Sequence, residues 1–376
     1  MSGVTRLAQA TVGRRGSEHF VLLDLVRGLA ALTVFLSHLR GGSFVEYGAL
    51  PAEQHTPLVA ALFGISRLGH EAVLIFFVLS GYFVGGAVIR RVAEGRFDVR
   101  EYAIDRATRI LLPLVPAVVL TAVVGSFIYG REPSLLQIGA NMVGLNDIVA
   151  PTIEGNAPLW SLAFEIWFYV FAGRLADLAS ARKRASLAIV AMSAATIAFS
   201  YLDARYLLFW SIGAAAMLLD GRRGTTWLAV AGLSLMTLAI LGLQLSTESK
   251  SFTHIAILPR PALEAIVCSG FALAIPALVG ASVWFSSRQL HAVSRFISDR
   301  SYSIYLFHYP LLWALGTVYA KSIFLDLSSI LQFAAKGAFA LAGCLLMHLI
   351  FEANTERVRQ YLKLRFGIAS AARTAV

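Results

Sequence analysis

The sequence predicts an all-α fold: a polytopic membrane helix bundle with about ten transmembrane helices and both termini cytoplasmic. Three observations predict it. The 376 residues are 57% hydrophobic and 14% charged, with mean hydropathy +0.70, against about 45–50% and 25% in soluble domains. Apolar runs of spanning length recur from end to end, a spanning helix needing about 20 such residues. The basic residues alternate between dense and sparse intervening segments, which explains a net charge of +10 by topology and gives no single patch for nucleic acid.

Ten segments fit spans, near residues 20–38, 68–89, 109–129, 158–173, 185–201, 206–219, 226–245, 261–285, 302–319 and 330–351. With the amino terminus inside, the cytoplasmic segments carry 23 bases, including Arg90, Arg91, Arg96, Arg100, Arg106 and Arg109 between the second and third spans. The opposite side carries seven: Arg40, Arg67, Arg131, Arg205, Lys250, Arg260 and Lys321. That asymmetry orients the chain. Asp24, Arg27 and His38 within the first span mark a retained helix and not a cleaved leader. The expected organisation is a cytoplasmic segment 1–19, a membrane domain 20–352 and a basic cytoplasmic tail 353–376, in a multi-pass protein of the inner cell membrane. The outer loops near 39–67 and 130–157 are the longest polar stretches, neither of domain size. Cys268 and Cys344 lie inside apolar runs, so neither a disulfide framework nor a cysteine zinc site is expected.

Ionisable side chains within spans cost about 2.5–3.5 kcal/mol each on insertion scales, so those retained face an interior. In the first helix Arg27 and His38 are eleven residues apart, three turns plus about 20°, which places them on one face about 16 Å apart in height. Asp24 lies one turn below Arg27, and the two also fit a plain ion pair at the cytoplasmic end. The second span reads Phe76-Phe77-Val78-Leu79-Ser80-Gly81-Tyr82 after His70-Glu71. Its small residues suit close helix packing as well as they suit a role for Ser80. Arg106 and Arg109 sit one turn apart at a helix start, where two guanidinium forks and free backbone N–H groups favour phosphates. Topology signalling alone also accounts for a basic loop.

The fourth span opens Pro158-Leu159-Trp160-Ser161 and carries Glu165 in its apolar part, where a carboxylate calls for a buried base such as His38 or Arg27. The ninth reads Ser301-Tyr302-Ser303-Ile304-Tyr305-Leu306-Phe307-His308, with Tyr302, Tyr305 and His308 as a polar stripe. Glu352 ends the last span at the inner interface.

Together these segments resemble the acyltransferase-3 family of integral membrane acyltransferases. The matching pieces are Arg27 with ten residues before His38, the Phe76 to Gly81 stretch, and Arg106-x-x-Arg109 followed by Ile110 and Pro113. To these are added Trp160-Ser161-Leu162 with Glu165, and the run from Ser301 to His308. The resemblance implies transfer of an acyl group, expected to be acetyl, from acyl-coenzyme A to a hydroxyl of a carbohydrate acceptor. An exopolysaccharide, an O-antigen or a lipid-linked repeat unit would qualify. It also implies that Arg27 and His38 are essential and that Arg106 and Arg109 hold the donor from the cytoplasmic side. Some relatives carry a carboxy-terminal esterase-like domain; with none read here, acceptor handover is expected through the membrane domain or a separate protein. Glu352 lacks the proline that often follows the family's last glutamate and is given no role.

Chemically, the acceptor hydroxyl must lose a proton as it attacks a thioester, and a neutral imidazole is the natural base at neutral pH. His38 is expected as that base, with Glu165 orienting its ring and Arg27, Tyr302 or Tyr305 stabilising the oxyanion. Tyr302, Tyr305, His308, Ser80 and Trp160 are the expected substrate-binding residues. No metal is expected, the partners are the bilayer and the glycan acceptor, and direct transfer is the expected route over an acyl-enzyme on His38 or Ser80. A secondary transporter of a glycan precursor or organic anion is the alternative, since buried Arg, His and Glu also mark transport paths.

Overall fold

The computed structural model describes residues 20–180, 185–221, 225–245, 258–282, 284, 287–316, 318 and 320–368. The described residues are helical, without a strand. In chain order the helices are α1 (Val21–Ser43), α2 (Pro57–Ile65), α3 (Gly69–Ser80), α4 (Gly86–Ala93), α5 (Val99–Tyr129), α6 (Leu135–Met142) and α7 (Trp160–Ser180). They continue as α8 (Ala185–Tyr201), α9 (Arg205–Ala216), α10 (Thr225–Leu245), α11 (Arg260–Ala281), α12 (Arg288–Leu315), α13 (Leu327–Ile350) and α14 (Thr355–Arg365). A wide π-helical turn, Gly81–Gly85, joins α3 to α4. Among the described residues seven helical stretches are long and apolar enough to cross a membrane. Two shorter apolar helices lie at Ser186–Tyr201 and Arg205–Leu219. Large side chains such as Phe127, Trp227 and Phe339 lie exposed on these helices, an exterior that lipid, and not water, would solvate.

Local sequence sets the helix ends. Thr56 accepts from Val59 N at 3.3 Å with Pro57 in the first turn of α2, and Asp98 accepts from Arg100 N and Glu101 N at 2.7 and 3.0 Å to start α5. Each cap satisfies a donor that the first turn leaves open. Gly130 closes α5 in the left-handed conformation at φ 61°, which glycine adopts without steric cost. Ser287 caps α12 through Leu290 N, so that helix begins well before residue 302, its first half amphipathic and basic. The stretch near 39–67 is likewise not plain loop. It contains α2, and Phe44, Leu50 and Phe63 form a small core there with Leu325 and Phe333.

The chain divides into two compact units, the described residues of Met1–Gly86 with Arg205–Gly343 and those of Ala87–Ala204 with Cys344–Val376. In the first unit α1 packs against α12 and α3, α9 against α3 and α11, and α10 against α11. Glycine permits the closest crossings: a Cβ on Gly81 would strike the Trp210 carbonyl, and one on Gly213 the Val78 carbonyl. Small residues at such contacts let helix backbones approach where no hydrophobic effect drives association. In the second unit α5 packs against α7 and α6, and α8 against α7. Tyr102 Oη donates to the Tyr169 carbonyl at 3.1 Å, and Phe168 stacks on Phe199 at 5.8 Å. The stretch after residue 353 forms α14, docked on α5 by Lys363 Nζ, 2.8 Å from Glu101 and 2.7 Å from Asp105.

Gly213→Ala should lower the thermal midpoint of the detergent-solubilised protein by several degrees, since overpacking costs about 1–3 kcal/mol. Gly280→Ala, whose methyl meets nothing within 4 Å, should leave it unchanged or slightly raised; equal behaviour of the two variants in a thermal-shift measurement would contradict the packing account.

Candidate active site

In the first unit, α1 and α12 lie close because Gly28 has no side chain where Ile297 packs; a Cβ there would overlap the isoleucine. That approach seats Arg27 on α12. Its Nη2 meets Asp24 Oδ1 at 3.1 Å and its Nε donates to Ser298 Oγ at 2.8 Å, with a second, short bond from Nη2 to the same hydroxyl. Ser298, fully buried, donates its own proton to Asp24 Oδ1 at 3.0 Å. Guanidinium, hydroxyl and carboxylate thus close a triangle that holds the charge in one orientation, with Phe83 under the guanidinium at 5.9 Å.

Farther along the same face of α1, His38 faces α12 again. Its ring centroid lies 5.3 Å from that of His308 and 4.9 Å from that of Tyr309, the latter edge-on. Phe35 and Tyr305 stand 6.1 and 6.2 Å from His308, and Phe76 stands 5.8 Å from Tyr305. His308 is 0% exposed. Its Nδ1 lies 2.8 Å from the Ile304 carbonyl; a carbonyl only accepts, so Nδ1 carries the proton and Nε2 the lone pair. Among the described residues that Nε2 has no hydrogen-bond partner. Tyr302 sits half-buried on the same helix, and Ser80 Oγ accepts from Trp210 Nε1 at 3.2 Å.

His70 engages a residue not singled out from sequence. Its Nε2 is 2.9 Å from Glu264 Oε1, and Glu264, 1% exposed, also meets Arg260 at 3.0 Å and Arg205 at 3.4 Å. The spacing of Arg260 and Glu264, one turn apart, was the available signal.

The second unit holds Arg106, Arg109, Trp160 and Glu165. Arg106 lies over the Tyr169 ring at 5.6 Å and lines a cavity of about 320 Å³ with Tyr102, Tyr169, Arg174, Ile110 and Val170. Glu165 Oε1 accepts from Tyr169 Oη at 2.5 Å, and Trp160 packs edge-on to Phe164 at 5.6 Å. Arg109 takes a different partner from Arg106. Its Nη1 is 2.7 Å from Glu352, whose buried carboxylate also meets His348 Nδ1 at 3.1 Å. The one-turn spacing implied two parallel forks; the structure commits Arg109 to a carboxylate and leaves Arg106 at the cavity wall. Among the described residues no three His, Cys, Asp or Glu side chains gather as metal ligands.

The structure therefore brings Arg27, His38, Tyr305 and His308 together along α1 and α12, and Arg106, Tyr169 and Glu165 together on α5 and α7. A family model described as an acyltransferase domain matches residues 20–349. The chain belongs to the acyltransferase-3 family. It is a multi-pass membrane enzyme that transfers acyl groups, and the transporter alternative has no finding behind it. No match is found among curated proteins or among solved structures.

Because Glu352 is buried, Arg109→Ala strands a carboxylate and should destabilise the enzyme by about 1–3 kcal/mol, below the fully buried case because Arg109 is itself partly exposed. Arg109→Ala/Glu352→Gln should recover much of that loss, whereas Arg106→Ala should leave the thermal midpoint nearly unchanged. Equal destabilisation by the two single arginine variants would refute the division of labour.

Proposed function

We propose that this acyltransferase moves an acetyl group from acetyl-coenzyme A to a hydroxyl of a carbohydrate acceptor, an exopolysaccharide, O-antigen or lipid-linked repeat unit, in the inner cell membrane. Ten spans with both termini cytoplasmic belong to the proposal, supported by the 23 to 7 distribution of bases. The observation that carries it is His38, a half-buried imidazole among aromatic rings, on the same helix as a guanidinium already fixed by Asp24 and Ser298.

In the proposed reaction the acceptor oxygen attacks the thioester carbonyl while His38 takes its proton. Collapse of the tetrahedral adduct breaks the C–S bond, and the departing thiolate takes that proton from the imidazolium. Charge on the adduct oxygen is met by Arg27 or a tyrosine hydroxyl of Tyr302 or Tyr305, groups whose orientation is largely set beforehand. Arg106 holds a phosphate of coenzyme A, a fork-shaped cation suiting a phosphate oxygen pair. Its neighbouring cavity, largely apolar in lining, suits the thin pantetheine arm or the acyl chain. Arg109 contributes positive field while anchored on Glu352, and Glu165 is the proposed buried acid of the reaction.

Purified enzyme in detergent, given radiolabelled acetyl-coenzyme A and a glycolipid extract from a strain lacking the protein, should transfer label to carbohydrate. His38→Ala should lose at least about a hundredfold in kcat, the lower end of what a general base supplies, with the donor KM little changed. Normal transfer by a folded His38→Ala enzyme would remove the base assignment. Loss of an O-acetyl signal from the surface glycans of the deletion strain, read by mass and NMR, would identify the acceptor; unaltered glycans would exclude that class.

A further inference from the structure

Most buried polar groups along α1 and α12 have partners. Arg27, Asp24 and Ser298 satisfy one another, Ser294 Oγ donates to the Val21 carbonyl at 2.9 Å and Ser301 Oγ to the Ser298 carbonyl at 2.7 Å. His308 breaks that pattern, as do Arg40 Nε and Ser43 Oγ at the far end of α1. The His308 Nδ1 proton is committed to Ile304, and its Nε2 is an acceptor sealed from solvent with no donor among the described residues. An unpaired buried polar atom costs about 1–3 kcal/mol. As packing, the site asks for a hydrocarbon ring: Phe35, Tyr305, Tyr309 and the His38 ring surround it. Phenylalanine would fill it without that penalty, and the Ile304 carbonyl, lying one turn back on the same helix, would lose only a supplementary donor. The imidazole is a stability cost, and its place beside His38 indicates the return.

We propose that His308 is a positioning residue that sets the tautomer of His38. The ring centroids are 5.3 Å apart and the planes tilted by 36°. Each ring nitrogen lies about 1.2 Å from its centroid, so one nitrogen of each ring, both turned onto the line of centroids, would stand roughly 3 Å apart, hydrogen-bond range. Because His308 Nε2 can only accept, the His38 nitrogen facing it must carry the proton. The other His38 nitrogen then holds the lone pair that receives the acceptor's proton. As the acceptor O–C bond forms, His38 becomes an imidazolium whose inner N–H still points at the neutral His308. When the C–S bond breaks, the coenzyme thiolate takes the transferred proton, and His308 finishes with the one proton it began with. It thereby does for His38 what a buried carboxylate does for histidine in a hydrolytic triad, without placing a fixed negative charge in the membrane interior.

This inference rests on the reading of His38 as the base, and the experiment separates the two. Native enzyme, His38→Ala, His308→Phe, His308→Gln and His308→Asn are compared for transfer of label from radiolabelled acetyl-coenzyme A to the glycolipid extract, with thermal midpoints measured alongside. His308→Phe should lose at least about a hundredfold in kcat with the donor KM within about twofold, and a thermal midpoint equal to or above the native value. His308→Gln, whose amide oxygen reaches the Nε2 position, should recover to within about tenfold of native, and the shorter His308→Asn should not. Native kcat in His308→Phe beside an inactive His38→Ala would overturn the inference and leave the base reading standing. Normal rates in His38→Ala, or no transfer by the native enzyme, would overturn the base reading itself. If His308→Phe does not fold, equal activity of the Gln and Asn variants overturns the inference, as does a joint fall in midpoint and kcat for all three substitutions.

Discussion

A charged side chain inside a hydrophobic span is tolerated only when the fold gives it a partner there, and the pairing of α1 with α12 provides that condition for Arg27. Gly28 brings the two helices together at Ile297, and the adjacent Ser298 hydroxyl takes two donors from Arg27 and gives its proton to Asp24. The same seam, followed along α1, sets His38 against His308 and Tyr309. One packing decision near the start of the seam therefore fixes both the cation and the imidazole. A helix rotated by even a few tens of degrees would turn both toward lipid, because they share a face. The orientation of Arg27 is set by Asp24 and Ser298, so in the proposed reaction it would need no rearrangement when negative charge develops, which is where electrostatic catalysis draws its advantage.

Much of this seam was legible from the chain alone because helical periodicity is reliable over a long apolar run. The eleven-residue interval between Arg27 and His38 fixes their shared face, and the stripe Tyr302, Tyr305, His308 requires only that the segment be helical. What the sequence concealed were groups without a charge or periodic signature. Ser298 is an uncharged residue that sequence does not distinguish from other serines, and its importance lies in being opposite Asp24, a juxtaposition between distant stretches of chain.

The start of α12 was hidden for a related reason. Arg288, Arg295 and Arg300 depress the hydropathy of its first half, so only the apolar second half registers as a span, although Ser287 caps the helix much earlier. Arg109 shows the limit of spacing arguments in the other direction. One turn after Arg106, it was read as a parallel phosphate fork, but its guanidinium meets Glu352, a residue from the opposite end of the chain. Glu264 escaped notice because it stands near a helix start, where a carboxylate is unremarkable; only packing reveals that it is buried among His70, Arg205 and Arg260.

The two kinds of buried polar group in this enzyme have different physical meanings. Where donors and acceptors close on one another, as in Asp24, Arg27 and Ser298 or in Arg109, His348 and Glu352, the arrangement offsets the cost of burial and fixes geometry. An isolated acceptor such as His308 Nε2 offsets nothing. Stability alone would favour an apolar ring there, and the proposed role for His308 gives its acceptor a partner in the reacting enzyme. In the proposed reaction the neighbouring imidazole is the group whose protonation changes, and a fixed acceptor beside it would convert a ring with two accessible tautomers into one with a defined basic face. Polar satisfaction thus separates the scaffold of the site from the atoms free to take part in its chemistry.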